Sequence, residues 1–244
     1  MGTVANRRRT STRLIEAPGV EIYLQEVSET LKRLPFVQID RMTDLLWNAY
    51  QENRAVYLFG NGGSAALASH CACDLGKGTV VEDRRRFRVM ALTDNVPLMT
   101  AWANDARYED IFAEQLRSFL QPDDVSFAIS ASGNSPNVLH ALGAAREMGA
   151  FTVGLTGNQG GKMKSLCDLC VVAPSENMQV IEDVHLSVTH SIFTCFRERI
   201  AESTAREVSG PRLNDLPHKS TALTEEADSI SLKPKATSLL GRLR

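Results

Sequence analysis

The sequence predicts an α/β fold whose parallel sheet is covered by helices on both faces, and three observations carry that reading. Strand-like and helix-like runs alternate from about residue 55 onward. The strand-like runs are near-continuously apolar rather than alternating, as strands buried on both faces are. Two of those runs end in loops of glycine, serine and asparagine that lead straight into helix-like stretches.

The elements follow in order. Residues 1–18 are polar and Arg/Thr-rich and read as a disordered segment. Helices are expected over Glu21–Leu34 and Phe36–Asn53, the second with Val37, Ile39, Met42, Leu45, Leu46 and Tyr50 at helical spacing. Strands are expected at 55–59, 87–92, 124–130, 151–156 and 168–173. Helices are expected at 64–75, 96–103, 110–119, 135–148, 161–166 and 178–202. From Ser209 onward the apolar periodicity stops, and Pro, Ser, Lys and Glu dominate. The expected division is a disordered segment at 1–18, one domain at 19–205 and a flexible tail at 206–244.

Composition narrows the function classes. The 244 residues are 43% hydrophobic and 23% charged, which suits one soluble domain with polar ends. A net charge of −2 argues against a nucleic-acid-binding surface. Five irregularly spaced cysteines argue against a disulfide framework and for a reducing compartment. No apolar run reaches the ~18 residues of a membrane span, and no apolar signal segment follows Arg7-Arg8-Arg9. Cytoplasm is the expected location.

The two loops are Gly60-Asn61-Gly62-Gly63-Ser64 and Ser130-Ala131-Ser132-Gly133-Asn134-Ser135. A strand, a small-residue loop and a helix N-terminus make an anion site: free backbone N–H groups and the positive end of the helix dipole face the ligand. Two such loops in one domain point to a phosphorylated ligand. The first loop lacks the dinucleotide G-x-G-x-x-G, since Ala65 stands at its third glycine, and no Walker-type G-x-x-x-x-G-K-[ST] is present. Gly160-Gly161-Lys162 reads as a turn and helix start.

Titratable residues cluster on two helices. His70 and Asp74 are four apart and share a face of the helix leaving the first loop. Glu182 and His190 lie about 80° apart on the late helix, near enough to reach one cleft, while His185 lies about 140° from His190 and points elsewhere. Two imidazoles and two carboxylates suit acid–base work, or a four-ligand site for zinc or another divalent metal. Cys71 and Cys73 are expected to pack inward, Cys195 to sit in the core or an interface, and Cys167-x-x-Cys170 has no second pair to make a zinc ribbon. Trp102 is placed either at the pocket or in the core.

These segments together resemble the sugar isomerase (SIS) domain, and more narrowly the phosphoheptose isomerases. The matching stretches are Gly60–Ser64, His70-x-x-x-Asp74-Leu75-Gly76, Leu92-Thr93-Asp94-Asn95, Ala103-Asn104-Asp105, Ser130–Ser135, Leu155-Thr156-Gly157 with Gly160–Lys162, and Ile181–His185 ahead of His190. The resemblance implies a five-stranded parallel sheet in a three-layer, flavodoxin/Rossmann-like sandwich. It implies a homotetramer built through the terminal helices. It implies that Ser64, Ser130, Ser132 and Ser135 hold the phosphate, with Asn61 and Asp94 near the sugar. Gly62, Gly63, Asn95 and Glu182 join them as substrate contacts on the same motifs. Asp74 and His190 stand at the family's acid/base positions, and zinc is the metal implied among His70, Asp74, Glu182 and His190. Asp74 replaces the usual Glu, Glu182 a Gln, Lys77 an Arg and Gln179 an Asp.

The expected function is isomerisation of sedoheptulose 7-phosphate to D-glycero-D-manno-heptose 7-phosphate through an enediol, with Asp74 as base and His190 as acid. The alternatives are a non-catalytic SIS protein that binds a phosphosugar or a protein such as a replication initiator, and an isomerase of another phosphosugar.

Overall fold

The computed structural model describes residues 19–208; the expectations for residues 1–18 and 209–244 lie outside it. Five parallel strands form one sheet in the order β2-β1-β3-β4-β5: β1 Val56–Gly60, β2 Val89–Ala91, β3 Val125–Ser130, β4 Phe151–Gly157 and β5 Leu169–Ala173. The helices are α1 Val20–Lys32, α2 Phe36–Gln51, α3 Gly63–Cys73, α4 Val96–Asp105, α5 Ala113–Phe119, α6 Pro136–Glu147, α7 Met163–Leu166 and α8 Met178–Val208. A π-helical turn, Asp74–Gly78, extends α3, and a 3₁₀ turn, Tyr108–Asp110, precedes α5. The late helix passes its expected end at 202 and takes in residues 206–208, which the sequence reading gave to the tail.

The central strands bury both faces, so successive side chains feed two separate cores. From β1, Val56 and Leu58 join a cluster with α2, α3 and α8, and Tyr57 and Phe59 join another with α5 and α6. This is why the strands read as continuous apolar runs. Helix α2 buries Ile39, Met42, Thr43, Leu46, Ala49 and Tyr50, a single stripe at helical spacing. Leu46 is fully buried, worth about 2 kcal/mol in removal from water. Val37, assigned to that stripe by periodicity, is exposed on the first turn instead.

The strand order positions the site. Beyond β1 the chain steps one way to β2; beyond β3 it steps the other way to β4 and β5. The loops after β1 and β3 therefore flank the topological switch point, where doubly wound sheets bind ligands. They are the two glycine/serine loops.

Candidate active site

The first loop turns tightly into α3. Gly62 has φ +54, the left-handed region that glycine tolerates, and it caps the helix without a side-chain bond. Gly63 begins α3, and a Cβ there would lie 2.8 Å from both carboxylate oxygens of Glu182. The Glu182 carboxylate thus sits over the N-terminus of α3, where the helix dipole favours a negative charge. Ser64 is buried beside it. About two turns beyond Gly63, His70 Nε2 lies 2.8 Å from His190 Nε2. The pairings Gly63–Glu182 and His70–His190 advance in the same direction along both chains, so α3 and α8 run side by side and roughly parallel.

Asp74 opens the π-helical turn. Its Oδ2 is 3.4 Å from His70 Nε2 and 3.7 Å from His190 Nε2. His70, Asp74 and His190 are the group of potential metal ligands among the described residues, and all three are partly open to solvent. Two imidazole nitrogens and one carboxylate oxygen, mutually 2.8–3.7 Å apart, suit a catalytic zinc or similar divalent ion that keeps an open position. Glu182, the expected fourth ligand, lies outside that group at Gly63. The π-helical turn is a feature that recurs at functional sites.

A cavity of ≈ 320 Å³ opens between α3 and α8, lined by Gly63, Ser64, Leu67, His70, Glu182 and His185 among others. His185 closes its floor. It is buried, its Nε2 donates to Thr156 O at 3.0 Å, and its Nδ1 has no partner. Burial pushes its pKa down to about 4, so it is a neutral structural donor. The helical angles send it away from the cleft, yet it lines the same cavity as His70 and Glu182 while its ring bonds to Thr156 O.

The second loop rests on a third. Gly133 has φ +63, and a Cβ there would meet Gly160 O at 2.3 Å; a Cβ on Gly161 would meet Ser132 O at 2.5 Å. Met163 N donates to Gly133 O at 2.9 Å, and Lys162 N to Asn134 Oδ1 at 3.1 Å. The Gly160–Lys162 turn therefore braces the serine loop by direct backbone contact. Ser130 Oγ accepts from Gly133 N and Ser132 Oγ from Asn134 N, both at 3.2 Å. Ser135 is the N-cap of α6 yet makes no capping bond with its side chain.

Other expected contacts are placed differently. Asp94 accepts from Ser69 Oγ, and with Asn95 it lines a second open cleft on the β2 side of α3. Asn95 spends its side-chain oxygen on Leu98 N at 3.1 Å, capping α4. Trp102 is half-buried against the second core. Cys71 is buried as expected, but Cys73 and Cys195 are exposed. Two residues that the sequence reading passed over reach the first loop: Asn137 pairs with Asn61, and Tyr108 donates to Asn61 Oδ1 at 3.2 Å. Asn137 lies in the Ser135-Pro136-Asn137 step, hidden as an ordinary helix residue.

The SIS domain family matches residues 22–157, more than half of the chain. The chain belongs to the SIS domain family. This SIS domain is similar to the phosphoheptose isomerase of Rhodospirillum rubrum, 46% identical over 135 residues that cover 55% of this chain and 71% of that one. It is similar to the phosphoheptose isomerase of Aquifex aeolicus, 35% identical over 177 residues that cover 72% and 92%. Its fold matches the structure of phosphoheptose isomerase GmhA from Neisseria gonorrhoeae with a TM-score of 0.68 at 26% identity, covering 73% of this chain and 97% of that one. The five-stranded parallel sheet and its flanking helices are those expected of the family.

Proposed function

We infer that this SIS domain, residues 19–205, is an aldose–ketose isomerase that converts sedoheptulose 7-phosphate to D-glycero-D-manno-heptose 7-phosphate. The observation that carries this reading is the convergence of His70 and Asp74, on the helix that springs from a switch-point loop, with His190 of α8, in a chain whose relatives bear the name phosphoheptose isomerase.

The phosphate is assigned to Ser130, Ser132 and Ser135, with Ser64 completing the site. Ser135, free of its capping duty, supports this, as does the braced loop around it. Gly62, Gly63 and Asn61 line the sugar side. Glu182 already supplies an anion to the N-terminus of α3, so Ser64 is the first loop's single phosphate contact and its other residues suit hydroxyls. With the phosphate anchored, C1 and C2 of the sugar reach the His/Asp group.

Asp74 takes the proton from the carbon beside the carbonyl, and the electron pair left behind forms the C=C bond of the enediol. His190 gives a proton to the carbonyl oxygen as that bond opens. Asp74 then returns its proton to the neighbouring carbon while His190 recovers one from the adjacent hydroxyl. His70, 2.8 Å from His190, orients its ring. With a divalent metal, zinc by ligand type, held instead by His70, Asp74 and His190, the metal would supply polarisation of the carbonyl and hydroxyl oxygens in place of the proton from His190.

The assembly we propose is a homotetramer in the cytoplasm. Val20, Ile22 and Leu24 on α1 and Phe36 and Val37 on α2 are large exposed apolar side chains that suit burial against other copies. The five cysteines are free, as a reducing compartment keeps them, and no described helix is long and apolar enough to cross a membrane.

The test is turnover of sedoheptulose 7-phosphate by the purified chain, with the product identified and other sugar phosphates run beside it. Asp74→Asn and His190→Ala are each expected to lower kcat by at least about 100-fold. Undiminished turnover in both variants would sink the assignment.

A further inference from the structure

Asn61 stands in the first loop, and its carboxamide is held by two other side chains. Asn61 Nδ2 donates to Asn137 Oδ1 at 2.8 Å, and Asn137 Nδ2 donates back to Asn61 Oδ1 at 2.8 Å. Tyr108 Oη adds a third bond, donating to Asn61 Oδ1 at 3.2 Å. A reciprocal amide pair is satisfied equally well with both amides reversed, so by itself it fixes no orientation. The backbone removes that ambiguity. Val138 N donates to Asn137 Oδ1 at 3.0 Å, and a backbone N–H accepts nothing. Asn137 must therefore turn its oxygen toward Val138, and its Nδ2 toward Asn61.

The consequence reaches Asn61. Its oxygen takes two hydrogen bonds and is saturated. Its Nδ2 spends one hydrogen on Asn137, which leaves one N–H free. Asn61 then offers a ligand a single donor and no acceptor. Asn137 is buried in the first turn of α6, and its bond to Val138 N satisfies an orphan amide there. That frees Ser135, the N-cap, from the task. One buried side chain thus ties the loop after β1 to the helix that begins at the loop after β3.

We propose that Asn137 is a positioning residue for the isomerase site: it locks Asn61 as a one-hydrogen donor to an oxygen of the bound sugar phosphate, and it holds the two glycine/serine loops in register. The proposal rests on the functional reading above, since Asn61 must face the substrate. It acts through Asn61 and touches no reacting atom.

The experiment is a double-mutant cycle on sedoheptulose 7-phosphate, following KM, kcat and, by calorimetry, Kd. Asn137→Ser keeps an oxygen for Val138 N but is too short to reach Asn61; Asn137→Ala removes both bonds. Each is expected to raise KM and Kd about tenfold with kcat changed less than about threefold, the value of one well-placed hydrogen bond. Asn61→Ala is expected to do the same alone, and to add almost nothing in an Asn137→Ser background. Asn137→Ser melts close to the unaltered chain, because its helix cap survives. Unchanged KM and Kd in Asn137→Ser, or a full extra tenfold on combining it with Asn61→Ala, would overturn the proposal. An unaltered chain that binds the sugar phosphate without turning it over would overturn the isomerase reading instead, and Asn137 would then stand or fall on the Kd cycle alone.

Discussion

His70 and His190, 120 residues apart in sequence, bring their Nε2 atoms to 2.8 Å across the seam between α3 and α8, with the Asp74 carboxylate 3.4 Å and 3.7 Å from them. A bare pair of facing imidazole nitrogens offers one hydrogen bond. A divalent ion between them and Asp74 offers three ligand bonds. The purified chain is expected to bind close to one zinc ion per protomer, measured by metal analysis after dialysis. His70→Ala and His190→Ala are each expected to reduce the bound zinc to background. Full zinc occupancy in both variants would place the metal elsewhere.

Glu182 shares the helix of His190 but serves the first loop. Its carboxylate rests against Gly63, inside the α3–α8 cavity that we propose admits the sugar phosphate. A fixed negative charge there stabilises α3 and repels a phosphate dianion. Glu182→Gln keeps the shape and removes the charge. It is expected to lower KM on the order of threefold while costing about 0.5 kcal/mol of stability. Steady-state kinetics and a denaturant titration check the two halves; a raised KM would show that the charge holds the substrate rather than opposing it.

Much of this was legible in the sequence, for reasons that differ by element. β1, β3 and β4 were readable because burial on both faces keeps them near-continuously apolar, with only small Ser and Thr side chains between. β2 was overdrawn, at 87–92 against Val89–Ala91, because an edge strand leaves Met90 exposed and pairs on one side only. The helical angles put Glu182 and His190 toward one neighbour. They carry no information about where along that neighbour each one lands, so Glu182 was counted with the metal ligands although it faces Gly63. Asn95, read as a sugar contact, also caps α4 with its side-chain oxygen, a second duty the motif did not announce. Asn137 left no local trace, because its partner Asn61 is 76 residues away. The bracing role of Gly160 and Gly161 was equally hidden, since a turn and a brace have the same composition.

His185 sets a pH dependence of stability. Its folded pKa is pushed down to about 4 by burial, against an ordinary value of 6.5. Below about pH 6.5 the unfolded chain takes up a proton on His185 that the folded chain refuses until about pH 4. The unfolded state therefore binds more protons in this window, and stability falls as pH drops through it. The full loss is roughly 3 kcal/mol, complete near pH 4, with no contribution above about pH 6.5. His185→Gln keeps a donor for Thr156 O and has nothing to titrate. Denaturant midpoints between pH 4.5 and 7.5 are expected to fall more gently toward acid in that variant than in the unaltered chain; equal slopes would show that His185 does not carry the effect.

Gly133 and Gly143 lie ten residues apart and are expected to respond to alanine with opposite signs. At Gly133 the backbone has φ +63, and an added Cβ would lie 2.3 Å from Gly160 O and 2.8 Å from Thr156 Oγ1. Gly160 cannot retreat, because the turn it belongs to is tied to the serine loop through Met163 N and Lys162 N. Strain and overlap together are expected to cost roughly 3 kcal/mol. The displaced loop carries Ser130, Ser132 and Ser135, the proposed phosphate contacts, so KM for the sugar phosphate is expected to rise as well. At Gly143, inside α6, nothing lies within 4 Å of an added Cβ, and the helix gains from alanine by about 1 kcal/mol. Gly143→Ala is expected to raise the urea midpoint and leave KM alone, and Gly133→Ala to lower the midpoint and raise KM. A Gly133→Ala chain of unchanged stability and KM would show that the third loop does not brace the second.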